Sequence, residues 1–128
     1  MKIILDTNFL IYTAKNKLDY LDEIENMINE KYELVVPKQV IIELEKLMND
    51  KWKKVSGKDK LAANLAIQLL KHNKVKIVDI RGNSVDEAIV NLANSEPKNI
   101  VCTLDKGMRY NLPRVILVNK FKKLMLTK

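Results

Sequence analysis

Asp6, Glu43, Asp86 and Asp105 are the side chains whose type and position in this sequence can do chemistry together. Asp6 closes the short apolar run that starts at Lys2. Asp105 follows the run Asn99 to Thr103 by two residues, and Asp86 opens a helical segment after a third run. If strands alternate with helices, such strand ends meet at one edge of a parallel sheet, where sites in these folds lie. Glu43 lies deeper in its helical segment, and at about 100° per residue it falls beside Val40 and Leu47 at the border of the apolar face. The same count puts Asp86 among Ile89, Val90 and Ala93, inside the apolar stripe.

Buried carboxylates are costly in isolation and repel one another when they converge, unless a divalent cation neutralises them. Oxygen donors without His or Cys select Mg²⁺ or Mn²⁺. Such an ion can bind a phosphate oxygen, activate a water and stabilise the leaving oxygen, which suffices for phosphodiester hydrolysis without a side-chain nucleophile. Singly, each acid has a blander role: Asp6 as a cap, Asp86 on a helix dipole, Glu43 as a solvated helix acid, Asp105 in a turn. Four such coincidences are less economical than one site.

The elements that must position them follow from periodicity. Lys2 to Asp6 reads as a strand, and Thr7 and Asn8 start a helix through Phe9, Leu10, Ile11 and Tyr12. Leu18, Leu21, Ile24, Met27 and Ile28 predict a second helix to about Lys31, and Leu34 to Val36 a second strand. Pro37 opens a helix carrying Val40, Ile41, Leu44, Leu47 and Met48 and ending near Lys53. The break Ser56-Gly57-Lys58-Asp59 leads into a helix closing near His72 and Asn73, and Val75 to Ile80 is a third strand.

Ser84 with Glu87 matches a capping box for the next helix, which stops before Pro97. Ile100 to Cys102 and Val115 to Val118 read as strands, Asp105 to Tyr110 as a short turn or helix, and the Lys-rich tail from Asn119 as a last helix. This alternation predicts an α/β fold: a three-layer α/β/α sandwich with a central, mainly parallel sheet of about five strands.

With 128 residues, 47% hydrophobic and 30% charged, the chain reads as one globular domain spanning residues 1–128. A formal charge of +7 favours a polyanionic partner, although a Lys- and Glu-rich surface also suits a hot habitat. The single cysteine, Cys102, leaves no intrachain disulfide and no Cys-rich zinc module, and reads as a core residue. No apolar stretch approaches a membrane span, so a soluble, cytoplasmic protein is expected.

Four blocks carry a resemblance: Ile4-Leu5-Asp6-Thr7-Asn8, Val36-Pro37 followed by Glu43-Leu44, Asp86-Glu87-Ala88-Ile89 leading to Ala93, and Ile100-Val101-Cys102-Thr103-Leu104-Asp105. In this order and context they resemble the PIN-domain nucleases, nearly end to end. The resemblance implies that Asp6, Glu43, Asp86 and Asp105 form an acidic catalytic and metal site. It further implies that Asn8 orients the first aspartate, that Thr103 supplies the hydroxyl beside the last, and that Mg²⁺ or Mn²⁺ drives RNA hydrolysis to 5′-phosphate and 3′-hydroxyl ends. Leu104, where many members carry a polar residue, and Met108, where leucine is usual, depart from the pattern without removing a ligand.

Within the family, Tyr32 to Pro37, Gly57 to Ala63 and the basic end look most like the short archaeal proteins related to the endonuclease of small-subunit rRNA processing, which implies precursor rRNA as target. The alternatives are a ribonuclease toxin held by an antitoxin, and a catalytically vestigial RNA-binding module of ribosome assembly. A phosphotransfer domain with an aspartate nucleophile would need an acid at position 8, where Asn8 stands.

Lys106, Arg109 and Arg114 lie near Asp105 in sequence and can hold phosphates, with Lys120, Lys122, Lys123 and Lys128 extending a backbone track. Trp52 and Tyr110 read as packing residues before base readers, and His72 as a helix C-terminal dipole partner. Ile11, Tyr12, Leu18, Leu21, Ile24 and Ile28 read mostly as core, with part of the stripe available for a homodimer face.

Overall fold

The computed structural model describes residues 1–52 and 54–127. Its sheet has six strands: β1 (Lys2–Leu5), β2 (Glu33–Pro37), β3 (Lys76–Val78), β4 (Ile100–Cys102), β5 (Val115–Val118) and β6 (Leu124–Thr127). They lie in the order β3-β2-β1-β4-β5-β6. The first five are parallel, and β6 runs antiparallel to β5. Leu5 is level with Cys102 and Cys102 with Ile116, which fixes how far each strand end projects.

Successive strand residues point to opposite faces, so a strand buried at every position is covered on both sides. Ile3, Ile4 and Leu5 on β1 and Ile100, Val101 and Cys102 on β4 are all fully buried. That is the expected three-layer α/β sandwich, and each such Ile or Leu contributes about 1.5–3 kcal/mol of burial free energy.

The helices are α1 (Thr7–Lys15), α2 (Tyr20–Met27), α3 (Lys38–Met48), α4 (Gly57–His72) and α5 (Val85–Ala93). Side chains cap four of them: Asp6 accepts from Thr7 N–H, Asp19 from Asp22, Ser56 from Asp59 and Ser84 from Glu87. The Ser84 box is half closed, because Glu87 Oε2 accepts from the Asn83 N–H at 3.4 Å instead of from Ser84. Pro37 ends β2 and stands at the N-cap of α3. α2 stops short of Lys31, the chain turning extended at Ile28.

α4 packs against α1 and α3 through the buried Ala62, Ala63 and Ala66, whose small side chains let the helices approach. Phe9 and Tyr20 meet edge to face at 6.0 Å between centroids, and Ile24 and Ile28 complete that part of the core. Ile11, Tyr12, Leu18 and Leu21 of the same stripe are half-buried. Among the described residues no helix is long and apolar enough to cross a membrane.

The tail corrects one expectation. Where a helix was expected from Asn119, the chain turns and returns as β6, raising the strand number to six. Asn119 Oδ1 accepts from the N–H groups of Phe121 (2.9 Å) and Lys123 (3.1 Å), and Lys122 adopts a left-handed φ of 59°. These bonds close a hairpin that a helix could not offer. Lys53 and Lys128, assigned above to a helix end and a basic track, lie outside the described residues.

Candidate active site

β1 delivers Asp6 to the carboxyl edge of the sheet, and β4, its neighbour, delivers Thr103 beside it. Both side chains are buried, at 3% and 0% exposure. Thr103 Oγ1 donates to Asp6 Oδ2 at 2.7 Å, and Asp6 Oδ1 accepts from the Thr7 N–H at 2.8 Å. The same Thr103 hydroxyl accepts from the Asp105 N–H at 3.1 Å, so it locks the position of the following loop. Burial raises the Asp6 pKa to about 6, the two hydrogen bonds oppose the rise, and the charges of Asp86 and Glu43 add to it.

Those two charges define the mouth of the site. Asp86 stands in the first turn of α5 and Glu43 halfway along α3, and both are exposed. The helical count had put Asp86 inside an apolar stripe; the stripe is real for Ala88, Ile89, Leu92 and Ala93, but the first turn of α5 leaves Asp86 at the solvent rim. Asp105 is also exposed, and its Oδ1 accepts from the Gly107 N–H at 2.9 Å as the cap of a short 3-10 helix, Lys106–Asn111. It joins the others through Thr103 and the backbone, and is not among the charges that perturb Asp6.

Among the described residues Asn8 makes no hydrogen bond to Asp6. Its Oδ1 accepts from the Leu104 N–H at 3.1 Å and lies 3.4 Å from Thr103 Oγ1, whose one proton is directed to Asp6. Asn8 therefore ties the start of α1 to the Thr103–Leu104 loop and supports Asp6 at one remove.

Two residues without chemistry of their own set where Asp86 sits. Gln39 on α3 donates to the carbonyls of Ile80 (2.9 Å) and Gly82 (3.0 Å), clamping the loop before α5. Gly82 lies so close to α5 that an added Cβ would meet Ala88 N at 2.6 Å. Nothing in the spacing of Gln39 marks it for this role. Beside Glu43 a cleft of about 320 Å³ runs between Ile42, Lys46 and the Asn83–Val85 segment.

Among the basic candidates, Lys106 and Arg109 are exposed on the 3-10 helix, with Arg109 lying 5.5 Å over the Tyr110 ring. Arg114 sits at the other end of the strands, where its carbonyl accepts from the Val101 N–H. Trp52 and Tyr110 are largely exposed instead of packed, and His72 stands exposed at the end of α4.

The donor set suits a hard cation: all oxygen, with no ion-pair partner for any of the four acids among the described residues. No three described Asp, Glu, His or Cys side chains stand close enough to cage one ion directly. A hydrated Mg²⁺ fits this arrangement, since it keeps several waters and takes one or two carboxylates.

A family model described as a PIN-like domain matches residues 3–118. The chain belongs to the PIN-like domain family. Ribonuclease VapC4 of Methanocaldococcus jannaschii is 43% identical over 111 residues, covering 87% of this chain and 82% of the relative. Among solved structures, the PIN domain endonuclease Utp24 superposes with a TM-score of 0.73 at 20% identity, covering 96% of this chain and 90% of the other. VapBC2 from Rickettsia felis, bound to a DNA fragment from their promoter, gives 0.60 at 17%, covering 88% and 96%. These likenesses establish the fold of this PIN domain as that of its structural neighbours.

Proposed function

We propose that this single PIN domain is an endoribonuclease that hydrolyses RNA phosphodiester bonds with Mg²⁺ or Mn²⁺ at Asp6, Glu43, Asp86 and Asp105. The observation that carries it is Asp6: a buried carboxylate, braced by Thr103, set against two further acids and given no cationic side chain as partner. A group that costly to keep ionised is best explained by a cation that binds it. Asp6, Glu43, Asp86 and Asp105 would hold the ion. The ion would activate water and offset charge on the leaving oxygen. Thr103 keeps Asp6 in one orientation, and Asn8 keeps Thr103 in place.

RNA as substrate is supported by the identity to a ribonuclease. Two targets follow: precursor rRNA, as the likeness to rRNA-processing endonucleases implies, or the RNA cut by a toxin held by an antitoxin. The 43% identity to VapC4 supports a ribonuclease and is compatible with both targets. Growth arrest on expression, relieved by a co-expressed neighbouring small protein, supports the toxin; accumulation of precursor rRNA on depletion supports processing.

The chemical proposal is tested with single-stranded RNA, Mn²⁺ or Mg²⁺, and a chelator control. Asp6→Asn should lower cleavage by more than about a hundredfold, the upper range seen for mere supporting groups around a metal, with folding intact. Full cleavage in chelator, or by Asp6→Asn, refutes it.

A further inference from the structure

The turn between β5 and β6 stands on the same carboxyl edge as Asp6. Because Leu5, Cys102 and Ile116 are level, Asn119 projects beyond Asp6 and lies two strands away, a lateral distance of about 10 Å at the usual strand spacing. A strand of RNA cut at Asp6 would reach it within a few nucleotides.

The turn is built to hold one shape. Asn119 Oδ1 accepts from two N–H groups of the turn, Asn119 N–H donates to the Lys123 carbonyl at 2.8 Å, and Lys122 N–H donates to the Asn119 carbonyl at 3.0 Å. Lys122 occupies the left-handed region at φ 59°, which L side chains other than Asn rarely adopt. Lys120, Phe121, Lys122 and Lys123 are all exposed. Phe121 at the tip is 73% exposed, and Lys120 Nζ lies over its ring, 5.2 Å from the centroid.

Among the described residues, none of Lys120, Lys122 and Lys123 has an ion-pair partner. The acid that does reach the hairpin, Glu23, accepts from the Leu124 N–H. An exposed ring flanked by unpaired cations on a rigid turn is the combination that binds single-stranded nucleic acid: bases stack on the ring and phosphates meet the lysines.

We propose that the Asn119–Lys123 turn is a stacking and phosphate-binding platform for single-stranded RNA beside the cleaved bond. This rests on the endoribonuclease reading above. The platform recognises unpaired RNA without reading its sequence, because every base offers a π face.

The test measures binding of a fluorescent, unstructured RNA of about ten nucleotides to the intact protein in chelator, over a salt series, followed by cleavage in Mn²⁺. Phe121→Ala should weaken binding between about fivefold and a hundredfold, and Phe121→Tyr should restore it. Lys120→Gln, Lys122→Gln and Lys123→Gln together should make the slope of log K against log salt shallower by about 2, at 0.7 per phosphate contact. Lys58→Gln and Lys71→Gln on α4 are the remote control, and thermal unfolding confirms that the hairpin variants fold. Wild-type cleavage with unchanged affinity and slope in the hairpin variants overturns this inference alone. A wild type that neither binds nor cleaves RNA overturns the function and the platform together.

Discussion

Ionised Asp6 should work against folding until a cation arrives. Its pKa stands at about 6 in the folded chain against 3.8 for a free side chain. Below 3.8 both states are protonated, and above 6 both are ionised. Between those values the folded state binds more protons, so stability falls as pH rises through the window and the loss is complete above it. The difference corresponds to about 3 kcal/mol at 1.36 kcal/mol per unit. Asn is as good a helix cap as Asp, so Asp6→Asn removes the charge while keeping the cap.

Urea unfolding in chelator from pH 4 to 8, for wild type and Asp6→Asn, isolates this contribution. The other acids contribute equally to both proteins, so the stability difference should grow in favour of Asn by up to about 3 kcal/mol across the window. Millimolar Mg²⁺ should then rescue the wild type alone, by about 2.7 kcal/mol at a hundred times its dissociation constant. Parallel stability curves for the two proteins, or equal Mg²⁺ stabilisation of both, would refute the electrostatic account of the site.

Thr103→Val keeps the shape and deletes the hydroxyl that bonds Asp6 and receives the Asp105 N–H. It should cost about 1–3 kcal/mol in urea unfolding and push the acid transition of Asp6 upward, whereas Thr103→Ser should restore both. Gly82→Ala should lose about 1–3 kcal/mol and displace Asp86, because its Cβ meets the Ala88 backbone; Gly57→Ala, with open space around it, should gain about 0.4–1 kcal/mol in thermal unfolding.

The parallel core of the fold was legible because fully buried strands read as uninterrupted apolar runs, as at Ile3–Leu5 and Ile100–Cys102. The tail was not. Lysines favour helices intrinsically, and only the paired N–H bonds to Asn119 and the partner strand β5 decide otherwise. Helical counting failed for Asp86 because a stripe predicts burial for the middle of a helix; its first turn overhangs the sheet edge. In the folded chain Glu43 acts on Asp6 by its charge, while Asp105 is tied to Asp6 through Thr103. Asn99, fully buried, accepts from the Lys2 N–H at 2.9 Å and donates to the Leu92 carbonyl at 3.2 Å, joining β1, α5 and β4. Its spacing gave no hint of that, since both contacts belong to tertiary structure.

The pairing of β1 with β4 also sets when activity can begin. Asp6 is synthesised 97 residues before the Thr103 that braces it. Until β4 threads in beside β1, the nascent chain carries Asp6 without its orienting hydroxyl and without the Asp105 loop that hangs from it. Contacts that distant in sequence form slowly and late. A fragment ending before Thr103 should therefore be catalytically silent, and the order of synthesis holds the site incomplete until β4 has been made.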